Sequence, residues 1–84
     1  MTLPRDLSGD ALVSLLRRHY EYRVIRQRGS HMRLASTLRG GEHRVTVPRY
    51  RQLEVGTLSG IISDVASYVG LTSNEVRWAL FGDA

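Results

Sequence analysis

Two glycine-marked turns, set so that only short strands fit around and between them, constrain this chain more than any other feature. Gly29 sits in Arg28-Gly29-Ser30, and Gly40-Gly41 sits in Arg39-Gly40-Gly41-Glu42. Glycine supplies the backbone freedom that a tight connection demands. The stretches they punctuate are rich in β-formers: residues 22–27, residues 31–37 and His43 to Val47. Within residues 31–37 the pattern alternates, so Met32 and Leu34 face a core while His31, Arg33 and Ala35 face away. In the third stretch Val45 and Val47 point inward, Arg44 and Thr46 outward, and Pro48 ends the run. The first alternates imperfectly, because Val24 and Ile25 are adjacent; which of them faces inward is left open.

Three short strands need helices over their apolar face. Leu12, Leu15, Leu16 and His19 fall at helical spacing over residues 9–20, behind Ser8 as N-cap and with Asp10 near the positive end of the helix dipole. His19 reads as a packing or capping residue. After an irregular crossing from Arg49 to Val55, a second helix opens at Gly56-Thr57. Its stripe is Leu58, Ile61, Ile62, Val65, Ala66 and Val69, and Gly70 fits just past its end. Thr72-Ser73-Asn74-Glu75 reads as a capping box for a short third helix that packs through Val76, Ala79, Leu80 and Trp78. The expected fold class is α+β: α-β-β-β-α with a three-stranded antiparallel sheet covered on one face, plus a C-terminal helix. At 84 residues the chain is expected to form a single domain over 1–84.

The charge is placed unevenly. The chain has twelve Lys plus Arg, all of them arginine, against eight acids, for a net +4. Arg17, Arg18, Arg23, Arg26, Arg28, Arg33, Arg39, Arg44 and Arg49 crowd into the middle. A basic centre suits a polyanion or an acidic protein partner. No cysteine is present, which excludes disulfides and thiolate metal sites. No apolar run approaches the roughly 20 residues of a membrane span, and no signal-peptide h-region opens the sequence. A cytoplasmic protein without a membrane partner is expected.

Chemistry concentrates between Arg26 and Arg33. A histidine side chain exchanges a proton near neutral pH, and guanidinium forks suit phosphate oxygens. His31 beside Arg26, Arg28 and Arg33 is therefore a pattern that phosphodiester cleavage could use. The competing reading is a solvated histidine in a basic hairpin. Arithmetic on the strands puts His31, Arg33, Arg44 and Thr46 on one open sheet face, a bed for a phosphate backbone. A metal site is weak: His31 and His43 could face each other across the hairpin, but no carboxylate cluster completes a ligand set. Ser30 is no nucleophile for His31, since neighbours on a strand point to opposite faces. No P-loop or dinucleotide fingerprint occurs.

Leu7-Ser8-Gly9-Asp10, Arg26-Gln27-Arg28-Gly29-Ser30-His31, Val45-Thr46-Val47-Pro48 and Gly56-Thr57-Leu58 with Ile61 and Ile62 together resemble the HicA family. HicA proteins are the toxin half of HicA–HicB toxin–antitoxin pairs, small mRNA interferases with a fold like the double-stranded-RNA-binding domain. Members commonly carry a glycine near the position of Glu21 and lysines where this chain has arginine. The resemblance implies RNA cleavage that needs no metal or other cofactor, with His31 as the catalytic residue and Gly29 beside it. His31 would act as base on the ribose 2′-hydroxyl or as acid for the leaving oxygen, with water or Tyr22 as second proton partner. Arg26, Arg28, Gly29, Ser30, Arg33, Arg44 and Thr46 are the expected RNA-binding residues. mRNA and a HicB-like antitoxin are the implied partners. The alternatives are a non-catalytic RNA-binding module of the double-stranded type and an arginine-surfaced protein-interaction domain.

Overall fold

A computed structural model describes residues 3–82; the first two residues of the lead-in and the last two of the chain lie outside it. The order is α1 (Gly9–Tyr20), β1 (Arg23–Arg28), β2 (His31–Ser36), β3 (His43–Pro48), α2 (Val55–Val69) and α3 (Ser73–Phe81). The strands form one antiparallel sheet in the order β1-β2-β3. This is the α+β, α-β-β-β-α arrangement of a double-stranded-RNA-binding domain with a helix added at its end.

α2 opens at Val55, one residue before the expected Gly56 and behind Glu54, which makes no side-chain cap; the other helix ends fall where their sequence chemistry says they should, with one exception. Ser8 accepts from the Ala11 amide at 3.0 Å and caps α1. Thr72 and Glu75 close a reciprocal capping box on α3. Gly70 ends α2 in the left-handed region at φ 77°. The exception is Glu21, which ends α1 at φ 59° and is the one non-glycine residue of positive φ among those described. It stands near the position where HicA proteins commonly carry glycine. A side chain there costs about 1–2 kcal/mol.

The apolar stripes of α1 and α2 bury Leu12, Leu16, Leu58, Ile62 and Val65 against Leu34, Val45 and Val47 of the sheet. Both helices pack on β3, and α1 also reaches β1. Val76 and Leu80 anchor α3, whereas Trp78 and Ala79, expected to pack, are exposed. Their positions fall on the outer side of a helix too short to bury two faces. His19 is exposed as well, beside the Tyr20 ring, and packs into nothing.

A β-bulge resolves the adjacent Val24 and Ile25. Pairing runs Arg23↔Ala35 and Val24↔Leu34, then skips Ile25 and resumes at Arg26↔Arg33, Gln27↔Met32 and Arg28↔His31. Partners directly opposite share a face, so Val24 joins Leu34 on the helix side. The extra residue resets the alternation. Arg23, Arg26 and Arg28 thereby all lie on the outer face, which strict alternation forbids for residues 23 and 28. All six residues of β1 are exposed.

Candidate functional site

The outer sheet face is a grid of three cross-strand rows. Reading β1, β2, β3, the first is Arg23, Ala35, Arg44; the second is Arg26, Arg33, Thr46; the third is Arg28, His31, Pro48. Ala35 was expected to be open with His31 and Arg33. It lies in the outer row yet is fully buried, being small and flanked by two arginines. The other two rows carry the site. Arg26, Arg28, His31, Arg33 and Thr46 line one shallow hollow.

The turn between β1 and β2 holds this arrangement. Gly29 is its first central residue at φ 59°, and Ser30 has no positive φ, the pattern of a type II′ hairpin. The Gln27 side-chain amide donates to the Gly29 carbonyl at 3.1 Å. Arg49 donates its backbone N–H to the Ser30 carbonyl, tying the exit of β3 to the same turn. Gly29 and Ser30 thus form the turn behind the hollow and are not among the residues that line it. Arg44 is on the outer face but also outside the hollow. Its Nη2 and Nε both donate to Glu42 Oε1, at 3.0 and 3.3 Å.

Electrostatically the hollow is one-sided. Among the described residues, Arg23, Arg26, Arg28 and Arg33 have no acidic partner within ion-pair distance. Cations on adjacent strands with nothing to neutralise them attract an anion that can bridge several at once. His31 is exposed to solvent among them.

His43 lies elsewhere. His31 is opposite Pro48, while His43 is opposite Ser36 in the last row of the β2–β3 pairing, so the two histidines never face each other. His43 instead joins a polar chain that the sequence reading missed. Its Nε2 lies 3.2 Å from Asp64 Oδ1, and its Nδ1 lies 2.7 Å from the Tyr22 hydroxyl. An ionised carboxylate only accepts, so Nε2 carries a proton, and in the neutral ring Tyr22 donates to Nδ1. The Tyr68 ring stacks on His43 at 4.7 Å between centroids. Tyr22 is fully buried, and burial, with the negative charge of Asp64 second, pushes its phenol well above the ordinary range. This removes Tyr22 as a proton partner for His31: its hydroxyl is taken, inaccessible and at the wrong end of the sheet.

Comparison with known proteins agrees with the architecture. The family model described as "HicA toxin of bacterial toxin-antitoxin" matches residues 9–66, more than half of the chain. The chain belongs to the HicA toxin family. The match runs from the start of α1 into α2, so it spans the whole sheet and the turn that carries His31. No curated protein and no solved structure matches the chain. As a HicA-family chain it is the toxin side of a toxin–antitoxin system, which implies an antitoxin partner. No helix among the described residues is long and apolar enough to cross a membrane.

Proposed function

We propose that this toxin is an endoribonuclease, an mRNA interferase whose catalytic residue is His31. The observation that carries the reading is the hollow itself: one exposed histidine in a bed of arginines with no acids to quench them. Arg26, Arg28 and Arg33 hold the RNA backbone, and Thr46 offers a hydroxyl to a phosphate oxygen. His31 takes the proton of the ribose 2′-hydroxyl, or supplies one to the leaving oxygen. In either case the 2′-oxygen bonds to phosphorus as the bond to the 5′-oxygen breaks, and water takes the other proton role, protonating the leaving oxygen in the first case and accepting the 2′-hydroxyl proton in the second. Arg28, the cross-strand neighbour of His31, and Arg33 stabilise the charge that builds on phosphorus. The chemistry runs through protein side chains and water, and dependence on the 2′-hydroxyl confines it to RNA.

The second part of the reading concerns control. A HicB-like antitoxin inhibits by laying an acidic segment over His31 and its arginines, where it competes with RNA for the same charges. Cleavage of labelled RNA in EDTA by wild-type protein and His31→Ala tests the catalytic claim. Loss of cleavage with RNA binding retained is the expected result. Full activity of the variant would remove His31 from the chemistry, and binding without cleavage by the wild type would leave a non-catalytic RNA-binding module. Histidine-directed modification with and without the antitoxin tests occlusion. A His31 equally reactive in a fully inhibited complex would place inhibition elsewhere.

A further inference from the structure

We propose that Tyr50 is a stacking platform for an unpaired RNA base beside His31, so that the strand delivered to the histidine is single-stranded there. The inference rests on the nuclease reading and names the form of its substrate. The nine-residue grid supplies charge in abundance but, apart from His31, no aromatic ring on which a base could lie. Base recognition must come from outside it. Tyr20 and Tyr22 are buried, Tyr68 is engaged beside His43, and Trp78 and Phe81 belong to α3, which packs on α1 and α2. Tyr50 remains, and it follows directly from the row that holds His31.

Three observations place it. Pro48 is the cross-strand partner of His31, and the Arg49 amide continues the ladder to the Ser30 carbonyl. Residue 50 therefore lies just beyond the end of β3, two residues past the cross-strand partner of the histidine. Arg49 turns toward α1, where its Nε lies 3.1 Å from Asp10 Oδ1. In extended chain the next side chain takes the opposite side, which is the side of the open face. Finally, the loop is pinned from beneath. The Gly9 amide donates to the Tyr50 carbonyl at 2.9 Å, and the Leu53 amide donates to the Leu7 carbonyl at 2.8 Å. Gly9 fits there because any side chain would collide with the carbonyl of Pro48. Tyr50 is nevertheless 47% exposed, and its hydroxyl has no partner among the described residues.

An exposed ring on a rigid support is what stacking needs, because little freedom is lost when a base lands on it. Such stacking tolerates any base and, on removal of the ring, costs binding a factor of about 5 to 150 per base. A base inside a duplex already stacks on its neighbours and is not available to the ring. Arginines that read only phosphates accept either form, so Tyr50 is the residue that favours the open strand.

The test uses the full-length protein and an oligoribonucleotide carrying 2-aminopurine, single-stranded or annealed to its complement. In a His31→Ala background, binding is measured with Tyr50 intact, Tyr50→Phe and Tyr50→Ala. The ring predicts quenched fluorescence and tight single-strand binding for Tyr and Phe. Tyr50→Ala should lose both, by the factor above, with duplex binding unchanged and an unaltered thermal transition. With His31 restored, Tyr50→Ala should raise KM and leave kcat little changed. Single-strand binding unaffected by Tyr50→Ala overturns the platform. So does Tyr50→Phe behaving like Tyr50→Ala, which would assign the role to the hydroxyl. Absence of cleavage with His31 restored overturns the nuclease reading instead, and the binding series still decides on the ring.

Discussion

The two ends of the sheet each present a histidine, and the contrast shows how one side chain is assigned two jobs by its neighbours. At the His43 end every polar atom is spoken for: Tyr22 donates to one ring nitrogen, Asp64 accepts from the other, and Tyr68 covers the face. At the His31 end the ring is exposed, and its surroundings are cations with no acid nearby. A group tied on both nitrogens holds structure together, because moving its proton would break a bond already made. A group whose nitrogens are open can exchange protons with whatever binds. The difference lies in place and partners, since the residue type is the same.

The sharpest way to break this contrast is to remove each ring in turn. His31→Ala should lower RNA cleavage by about 10²–10⁴-fold while changing stability by no more than about 0.5 kcal/mol. Cleavage rates and thermal melts measure the two effects. His43→Ala should do the opposite. It leaves the Tyr22 hydroxyl buried without an acceptor, at a cost of about 1–3 kcal/mol. In a chain of this size that lowers Tm by about 4–8 °C per kcal/mol, with cleavage retained below the transition. A His43→Ala protein that melts normally but fails to cleave would reverse the assignment.

Smaller effects sharpen the picture. Glu21→Gly should raise stability by about 1 kcal/mol, because glycine relieves the left-handed strain at the end of α1; chemical denaturation reads this directly. RNA binding should weaken with salt, and Arg28→Gln or Arg33→Gln should each make the log–log slope shallower by about 0.7 on single strands. Arg44→Gln should change it less, since Glu42 already neutralises that guanidinium. The smallest effect is alkaline. The Tyr22 phenol is harder to ionise folded than unfolded. Its contribution is therefore whole below about pH 10, the ordinary phenol range, and falls away as pH rises beyond it. Tyr22→Phe should flatten that alkaline loss of stability, as melts across the range would show.

How much of this was written in the sequence depends on the range of the interactions involved. Helix stripes, the Thr72–Glu75 box, Gly70 and the inward places of Met32, Leu34, Val45 and Val47 are local patterns, and the structure agrees with each. The shared face of His31, Arg33 and Thr46 followed from alternation, whereas Arg26 and Arg28 were legible only as their neighbours in sequence, the facing of β1 being left open. The bulge at Ile25 did not, because register between strands is a negotiation over the whole sheet rather than a property of residues 24 and 25. The Tyr22–His43–Asp64 chain was hidden for the same reason. Its members come from before β1, from β3 and from α2, and no spacing announces them. Arg44 was placed on the right face, yet its capture by Glu42 depends on rotamers that alternation does not describe.

The bulge at Ile25 also decides how copies of this chain meet one another. β1 is an outer strand, open on both faces, and carries Val24 and Ile25 at 36% and 40% exposure. A straight border of that kind invites a second molecule to pair along it and, repeated, to build aggregates. The inserted residue interrupts the row of backbone groups, and Arg23, Arg26 and Arg28 repel their own counterparts on an incoming copy. At the opposite border Pro48 has no N–H to offer. Both borders of the sheet thus disfavour edge-to-edge pairing between copies of the chain.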